Sequence, residues 1–210
     1  MNTKEFETKA KEFVGKGILA GILISFGGFA YLAVGGIVGA IMFAFGLMSV
    51  VYFGALLYTG TAGFRFEKKW LKLPLILIMN VLGCYIMGLF ANLCGNEAII
   101  FSAQKCINTR IEAGYIACVV RGLLCGAIMT TVVKFGSEGK ILPLLFGIPL
   151  FILCGFYHSI ADAFYVSTAG LSYVSNPEVI YSWLFVVLGN FIGCNMYEIL
   201  GFGKQFVKTI

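Results

Sequence analysis

Residues 16–25 read Lys16-Gly17-Ile18-Leu19-Ala20-Gly21-Ile22-Leu23-Ile24-Ser25, and residues 121–130 read Arg121-Gly122-Leu123-Leu124-Cys125-Gly126-Ala127-Ile128-Met129-Thr130. Each stretch is a cation followed by an apolar run with two glycines four apart, and the offset of 105 is half of the 210-residue chain. A second match, Asn80-Val81-Leu82-Gly83-Cys84 against Asn190-Phe191-Ile192-Gly193-Cys194, follows at offset 110. The chain therefore divides into two repeats, 1–105 and 106–210. A repeat with an odd number of membrane spans must enter the membrane the second time upside down. Inverted repeats of that kind belong to channels and transporters.

The composition requires a membrane. The chain is 60% hydrophobic and 12% charged, and its mean hydropathy is +0.93. Residues 17–64 contain no Asp, Glu, Lys or Arg, which is 48 residues and enough for two crossings at about 20 residues each. Residues 73–95, 141–161 and 179–197 are equally free of charge, and 113–133 carry only Arg121. Six spans are expected, at about 14–34, 37–58, 74–94, 112–134, 140–158 and 180–201. Lipid offers the backbone no hydrogen bonds, so each is largely helical. The fold class is an all-α integral membrane protein, three spans and then three inverted spans. The first apolar run follows a charged segment and has no A-x-A-like site, so it reads as a span rather than a cleaved signal.

Basic residues orient the spans. Lys4, Lys9, Lys11 and Lys16 precede span 1, Arg65, Lys68, Lys69 and Lys72 join spans 2 and 3, Lys134 and Lys140 flank the 4–5 connection, and Lys204 and Lys208 form the tail. Those twelve of fifteen fall on one side; Lys105, Arg110 and Arg121 fall on the other. Both termini are expected in the cytoplasm, in an inner or plasma membrane. The dispersed net charge of +5 makes no case for nucleic acid.

Seven cysteines contain no C-x-x-C pair and meet one histidine, so the pattern calls for no metal or cofactor. Cys94 and Cys106 flank an expected external loop, where a disulfide is one option. The repeat boundary lies near 98–111. Gly17/Gly21, Gly35/Gly39, Gly122/Gly126 and Gly189/Gly193 have the spacing that lets helices approach closely.

Spans 2 and 5 differ from the rest. One runs into Leu57-Tyr58-Thr59-Gly60-Thr61-Ala62-Gly63, the other into Tyr157-His158-Ser159-Ile160-Ala161-Asp162. Interrupted segments at matching repeat positions point to a transport site. His158 is the only histidine and Asp162 the only aspartate. Two readings stand: a buried pair bracing a helix break, or a proton-exchanging or anion-attracting centre. Thr59 offers a hydroxyl at the matching break. Arg110 either snorkels or lines an external vestibule that concentrates anions, and Arg121 reads as snorkelling. No nucleophile elbow, P-loop or metal cluster supports an enzyme.

At these residues the chain resembles the formate–nitrite transporter family over nearly its full length. Gly54-Ala55-Leu56-Leu57-Tyr58-Thr59-Gly60 is similar to the family's Gly-Ala-Glu-Leu-Phe-Thr-Gly, Arg121 to Gly126 to its Arg-Gly-Ile-Leu-Cys-Asn, and Gly155 to Asp162 to its Gly-Phe-Glu-His-Ser-Val-Ala-Asn. Lys16 to Gly28 and Asn190 to Gly193 resemble its first and sixth spans. The resemblance implies an aquaporin-like six-helix fold with helices 2 and 5 broken, assembled as a homopentamer with one pore per subunit. It implies passage of formate, nitrite, hydrosulfide or similar small weak-acid anions. It places the pore histidine on His158, the break-loop threonine on Thr59, the vestibule cation on Arg110, and apolar constrictions on Phe43, Leu47, Leu57 and Phe151, with Tyr58 adjacent. This chain has Leu56 and Tyr157 where the family has Glu, and Gly126 and Asp162 where it has Asn. The expected function is a proton-linked channel or permease for such anions. A pore for a neutral solute such as hydrogen sulfide, or a non-conducting membrane protein, are the alternatives.

Overall fold

The computed structural model describes residues 3–63 and 72–202. All regular structure there is helical: α1 (Thr3–Val34), α2 (Gly36–Tyr52), α3 (Tyr58–Ala62), α4 (Leu73–Leu93), α5 (Glu97–Ser137), α6 (Leu142–Leu153), α7 (Ser159–Ala169), α8 (Leu171–Val174), α9 (Pro177–Cys194) and α10 (Met196–Ile199). Among the described residues four helices are long and apolar enough to cross a membrane: Glu5–Val34, Leu73–Leu93, Glu97–Ser137 and Pro177–Cys194. α2 and α6 are apolar but shorter. Among the basic residues that set the expected orientation, Arg65, Lys68, Lys69, Lys204 and Lys208 lie outside the described residues, as does the Lys4 side chain.

The N-terminal segment does not stand apart from span 1. α1 begins at Thr3, and Glu5–Lys9 (2.6 Å) and Glu12–Lys16 (2.7 Å) pair along it at the spacing that supports a helix. The larger departure is at residues 97–113, expected to hold the repeat boundary and an external loop. They form the first part of α5, with the Asn96 side chain accepting the Ile99 N–H at its start. Gly114, at φ 78° and ψ 165°, separates that part from the span proper. Ala103 and Ile107 are buried one turn apart while Lys105 and Asn108 face out, so this is an amphipathic helix. Its charges hide it from a search for charge-free runs. Cys94 and Cys106 are both free thiols, and Cys106 is carried on that helix rather than on a loop.

Two seams of small residues join the helices. α1 packs on α4, where a methyl added to Gly21 would strike the Asn80 carbonyl and one on Gly83 the Ile18 carbonyl. α5 packs on α9 in the same way: Gly126 faces the Asn190 carbonyl and Gly193 the Leu123 carbonyl. Backbone touches backbone in both seams, the packing that small residues allow between membrane helices. Outward side chains such as Ile37, Phe45, Ile78, Ile116 and Phe146 are exposed and apolar. Lipid accounts for a surface that water would penalise.

Candidate functional site

Two non-helical stretches face the centre of the bundle. α2 ends at Tyr52 and the helix resumes only at Tyr58; α6 ends at Leu153 and the helix resumes only at Ser159. Every landmark is offset by 101 residues. Gly54 (φ 58°) and Gly155 (φ 69°) turn the chain, and Leu57 and His158 are the N-caps of α3 and α7.

Breaking a helix in an apolar interior frees backbone groups that need partners. Two asparagines supply them. The Asn80 carbonyl oxygen accepts the Tyr58 N–H (2.8 Å), and its amide donates to the Gly17 and Leu56 carbonyls (2.8 Å each). The Asn190 oxygen accepts the Ser159 N–H (2.8 Å), and its amide donates to the Gly122 and Tyr157 carbonyls (2.8 Å each). The main chain adds Leu56 N–H to Lys16 O (3.1 Å) and Tyr157 N–H to Arg121 O (3.3 Å). Both asparagines are completely buried. The Asn-x-x-Gly-Cys match between the halves is thus the pattern of a pin for a broken helix. At the start of the other sequence match, the Gly17 and Gly122 carbonyls are held by the pins and the Lys16 and Arg121 carbonyls by the main chain of the breaks.

The breaks bring Thr59 and His158 together, Oγ1 to Nε2 at 2.9 Å, with both side chains buried. The Ala161 N–H donates to His158 Nδ1 at 3.2 Å. An N–H only donates, so Nδ1 holds a lone pair and the hydrogen of the neutral ring sits on Nε2. That hydrogen goes to Thr59 Oγ1, which leaves the threonine's own hydrogen for another acceptor. Phe151 stacks on the imidazole with ring centres 5.9 Å apart, and Phe43 meets Phe151 edge to face at 6.2 Å. Leu47 is one helical turn beyond Phe43 along α2, about 6 Å further from Gly35. Leu47, Leu57 and Tyr58 are buried with Phe43 and Phe151 in one apolar cluster, and the Tyr58 hydroxyl is turned away to the Val187 carbonyl (3.4 Å).

A cavity of about 400 Å³ leads down to this cluster from the end of the fold where α1 turns into α2. Phe43, Phe151 and His158 line it, as do Lys105, Arg110, Arg121 and Asp162. These are the three cations assigned from sequence to the sparsely charged side, and they meet in one vestibule with a single carboxylate.

Asp162 does not pair with His158. Its Oδ1 accepts from Arg110 Nε (3.2 Å) and Nη2 (2.8 Å), while Arg110 Nη1 donates to the Cys106 carbonyl (2.8 Å). Of the two readings of their spacing, the buried His–Asp brace does not form; an Arg110–Asp162 ion pair between α5 and α7 stands in its place. Four residues along α7 put the carboxylate one turn away from the ring, beside the first part of α5, where the sequence predicts the repeat boundary. Tyr157, Arg121 and Lys105 escaped notice as site residues. Arg121 donates to the Tyr157 hydroxyl (2.5 Å), and the guanidinium carbons of Arg110 and Arg121 lie 4.2 and 5.1 Å from the Tyr157 ring centre. The signal was the rarity of cations on that side.

A family model described as formate/nitrite transporter matches residues 1–200. The chain belongs to the formate/nitrite transporter family. No curated protein gives a significant sequence match. Among solved structures, a pentameric formate channel with formate bound superposes with a TM-score of 0.77 at 17% identity, covering 98% of this chain and 100% of the other. An ion channel of the same family superposes with a TM-score of 0.80 at 18% identity, covering 95% and 92%. As a member of this family the chain is a multi-pass membrane protein of the transport class.

Proposed function

We propose that the chain is a channel-like permease for small monovalent weak-acid anions of the formate, nitrite or hydrosulfide class, proton-linked at His158. The observation that carries this reading is the Thr59–His158 contact at the floor of a cavity with three cations and one carboxylate. The excess positive charge draws anions in. Phe43 and Phe151, then Leu47 and Leu57, form apolar constrictions in which a bare anion is costly. The Thr59 hydroxyl, its oxygen held by His158, donates its hydrogen to the arriving anion. A proton taken up there from vestibule water turns the anion into its neutral acid, which crosses the apolar cluster. The role is transport and not catalysis.

The architecture that goes with this is two three-span repeats, 1–105 and 106–210, inserted in opposite senses, with helices 2 and 5 broken. The 101-residue offset between the two breaks and their matching asparagine pins support it. The pentameric formate channel supports a homopentamer, and the cavity inside one chain supports a pore in each subunit. The basic bias supports cytoplasmic termini in an inner or plasma membrane.

The test is formate, nitrite and hydrosulfide flux into proteoliposomes at two pH values, with an uncharged solute as control. Flux of the weak acids that changes with pH, and its loss in His158→Phe, are expected. Weak-acid flux with the same pH response in His158→Phe would remove the histidine's role. Flux of the uncharged solute alone would favour a neutral-solute pore, and no flux of any solute a non-conducting protein.

A further inference from the structure

Within the transport reading above, on which it rests, we propose that the vestibule of this chain takes up its anion on Arg121 and Lys105, because Arg110 is already occupied by Asp162.

Arg110 spends its charge internally. Two of its N–H groups go to one carboxylate oxygen and a third to the Cys106 carbonyl, while its face lies against Tyr157. The Asp162 side chain is 2% exposed, so the pair is a fixed dipole and not a free cation. An anion approaching Arg110 meets a charge already neutralised by a buried carboxylate.

Arg121 is arranged differently. Its guanidinium carries five N–H groups, and the one hydrogen bond described from them goes to the neutral hydroxyl of Tyr157. Among the described residues neither Arg121 nor Lys105 has a carboxylate partner within ion-pair distance. Both line the cavity that ends at His158. The Arg121 backbone is fixed as well, since its carbonyl accepts the Tyr157 N–H. A planar guanidinium with open donors, half-buried and tethered at one corner, suits a carboxylate or nitrite better than a solvated ammonium would. Tyr157 lies between the two arginines and immediately precedes His158, so an anion on Arg121 is delivered to the wall of the pore that carries the histidine.

The test compares saturation of formate flux in proteoliposomes for wild type, Arg121→Gln, Arg121→Lys, Asp162→Asn and the Arg121→Gln/Asp162→Asn double variant. Loss of Arg121 should raise the half-saturating formate concentration about fivefold or more with a smaller change in maximal rate, and lysine should restore most of it. Asp162→Asn, which releases Arg110, should lower half-saturation and should compensate in the double variant. If Arg121→Gln elutes as folded protein with half-saturation within about twofold of wild type, the assignment is overturned. If that variant does not fold, an Asp162→Asn protein with unchanged half-saturation overturns it instead. Calorimetric titration of the purified proteins with nitrite reads the site without flux. Wild type that binds nitrite through Arg121 yet passes no formate or nitrite would defeat the transport reading and leave this one standing.

Discussion

Thr59 and His158 are 99 positions apart in sequence and meet at 2.9 Å in the centre of the bundle. On the His158 side the Ala161 N–H holds the other ring nitrogen (3.2 Å). Each caps or opens a short helix that starts where a longer one has stopped. The contact needs both interruptions in register, and so it depends on Asn80 and Asn190 as much as on the two residues that make it.

Thr59→Val keeps the side-chain shape and removes the acceptor of the His158 Nε2–H. The buried donor left behind costs about 1–3 kcal/mol, and the anion loses its hydroxyl. Formate flux in vesicles should fall at least about tenfold, which corresponds to some 1.4 kcal/mol of lost interaction, and the melting temperature should drop. Thr59→Ser should recover most of both.

Asn190→Leu orphans the Ser159 N–H and the Tyr157 carbonyl and removes the tie to the Gly122 carbonyl. Each unpaired buried group costs about 1–3 kcal/mol, so the variant should lose its folded peak in detergent on size-exclusion chromatography. Asn80→Leu should behave alike. Asn190→Asp keeps the acceptor and loses both donors, and should fall between wild type and Asn190→Leu.

Gly126→Asn restores the residue of the family pattern, yet it should destabilise this protein. A side chain there runs into the Asn190 carbonyl and the Cys194 N. Overpacking of a close seam costs about 1–3 kcal/mol. Thermal unfolding followed by tryptophan fluorescence should show a lower midpoint, and an unchanged midpoint would mean that α5 and α9 can separate freely.

Cys94 and Cys106 are separate thiols. Purified protein should run identically on gels with and without reductant. Under native conditions a maleimide should label the exposed Cys94 and Cys154 and leave Cys84 and Cys194 untouched until the protein is denatured.

Glycine pairs and the Asn-x-x-Gly-Cys match were legible as sequence because they are local patterns with one geometric meaning each. Close helix contact needs small residues at fixed spacing, and each break is pinned by the asparagine that opens an Asn-x-x-Gly-Cys stretch. The Arg110–Asp162 pair was not legible. It joins residues 52 apart across α5 and α7, and its α5 partner lay in a segment whose charges concealed an amphipathic helix. The family pattern misleads at the same place. Its acid precedes the histidine, whereas here that position is Tyr157 and the acid stands at Asp162, within reach of Arg110.

The thiol of Cys84 donates to the Ile160 carbonyl (3.3 Å), and the thiol of Cys194 donates to the Thr59 carbonyl (3.2 Å). Each break is thus pinned by an asparagine of its own half and finished by a cysteine of the other. During synthesis the Thr59 carbonyl meets its donor only after another 135 residues have been made. The early helices stay incomplete until the last one arrives, and neither 1–105 nor 106–210 made alone would contain both partners of these contacts.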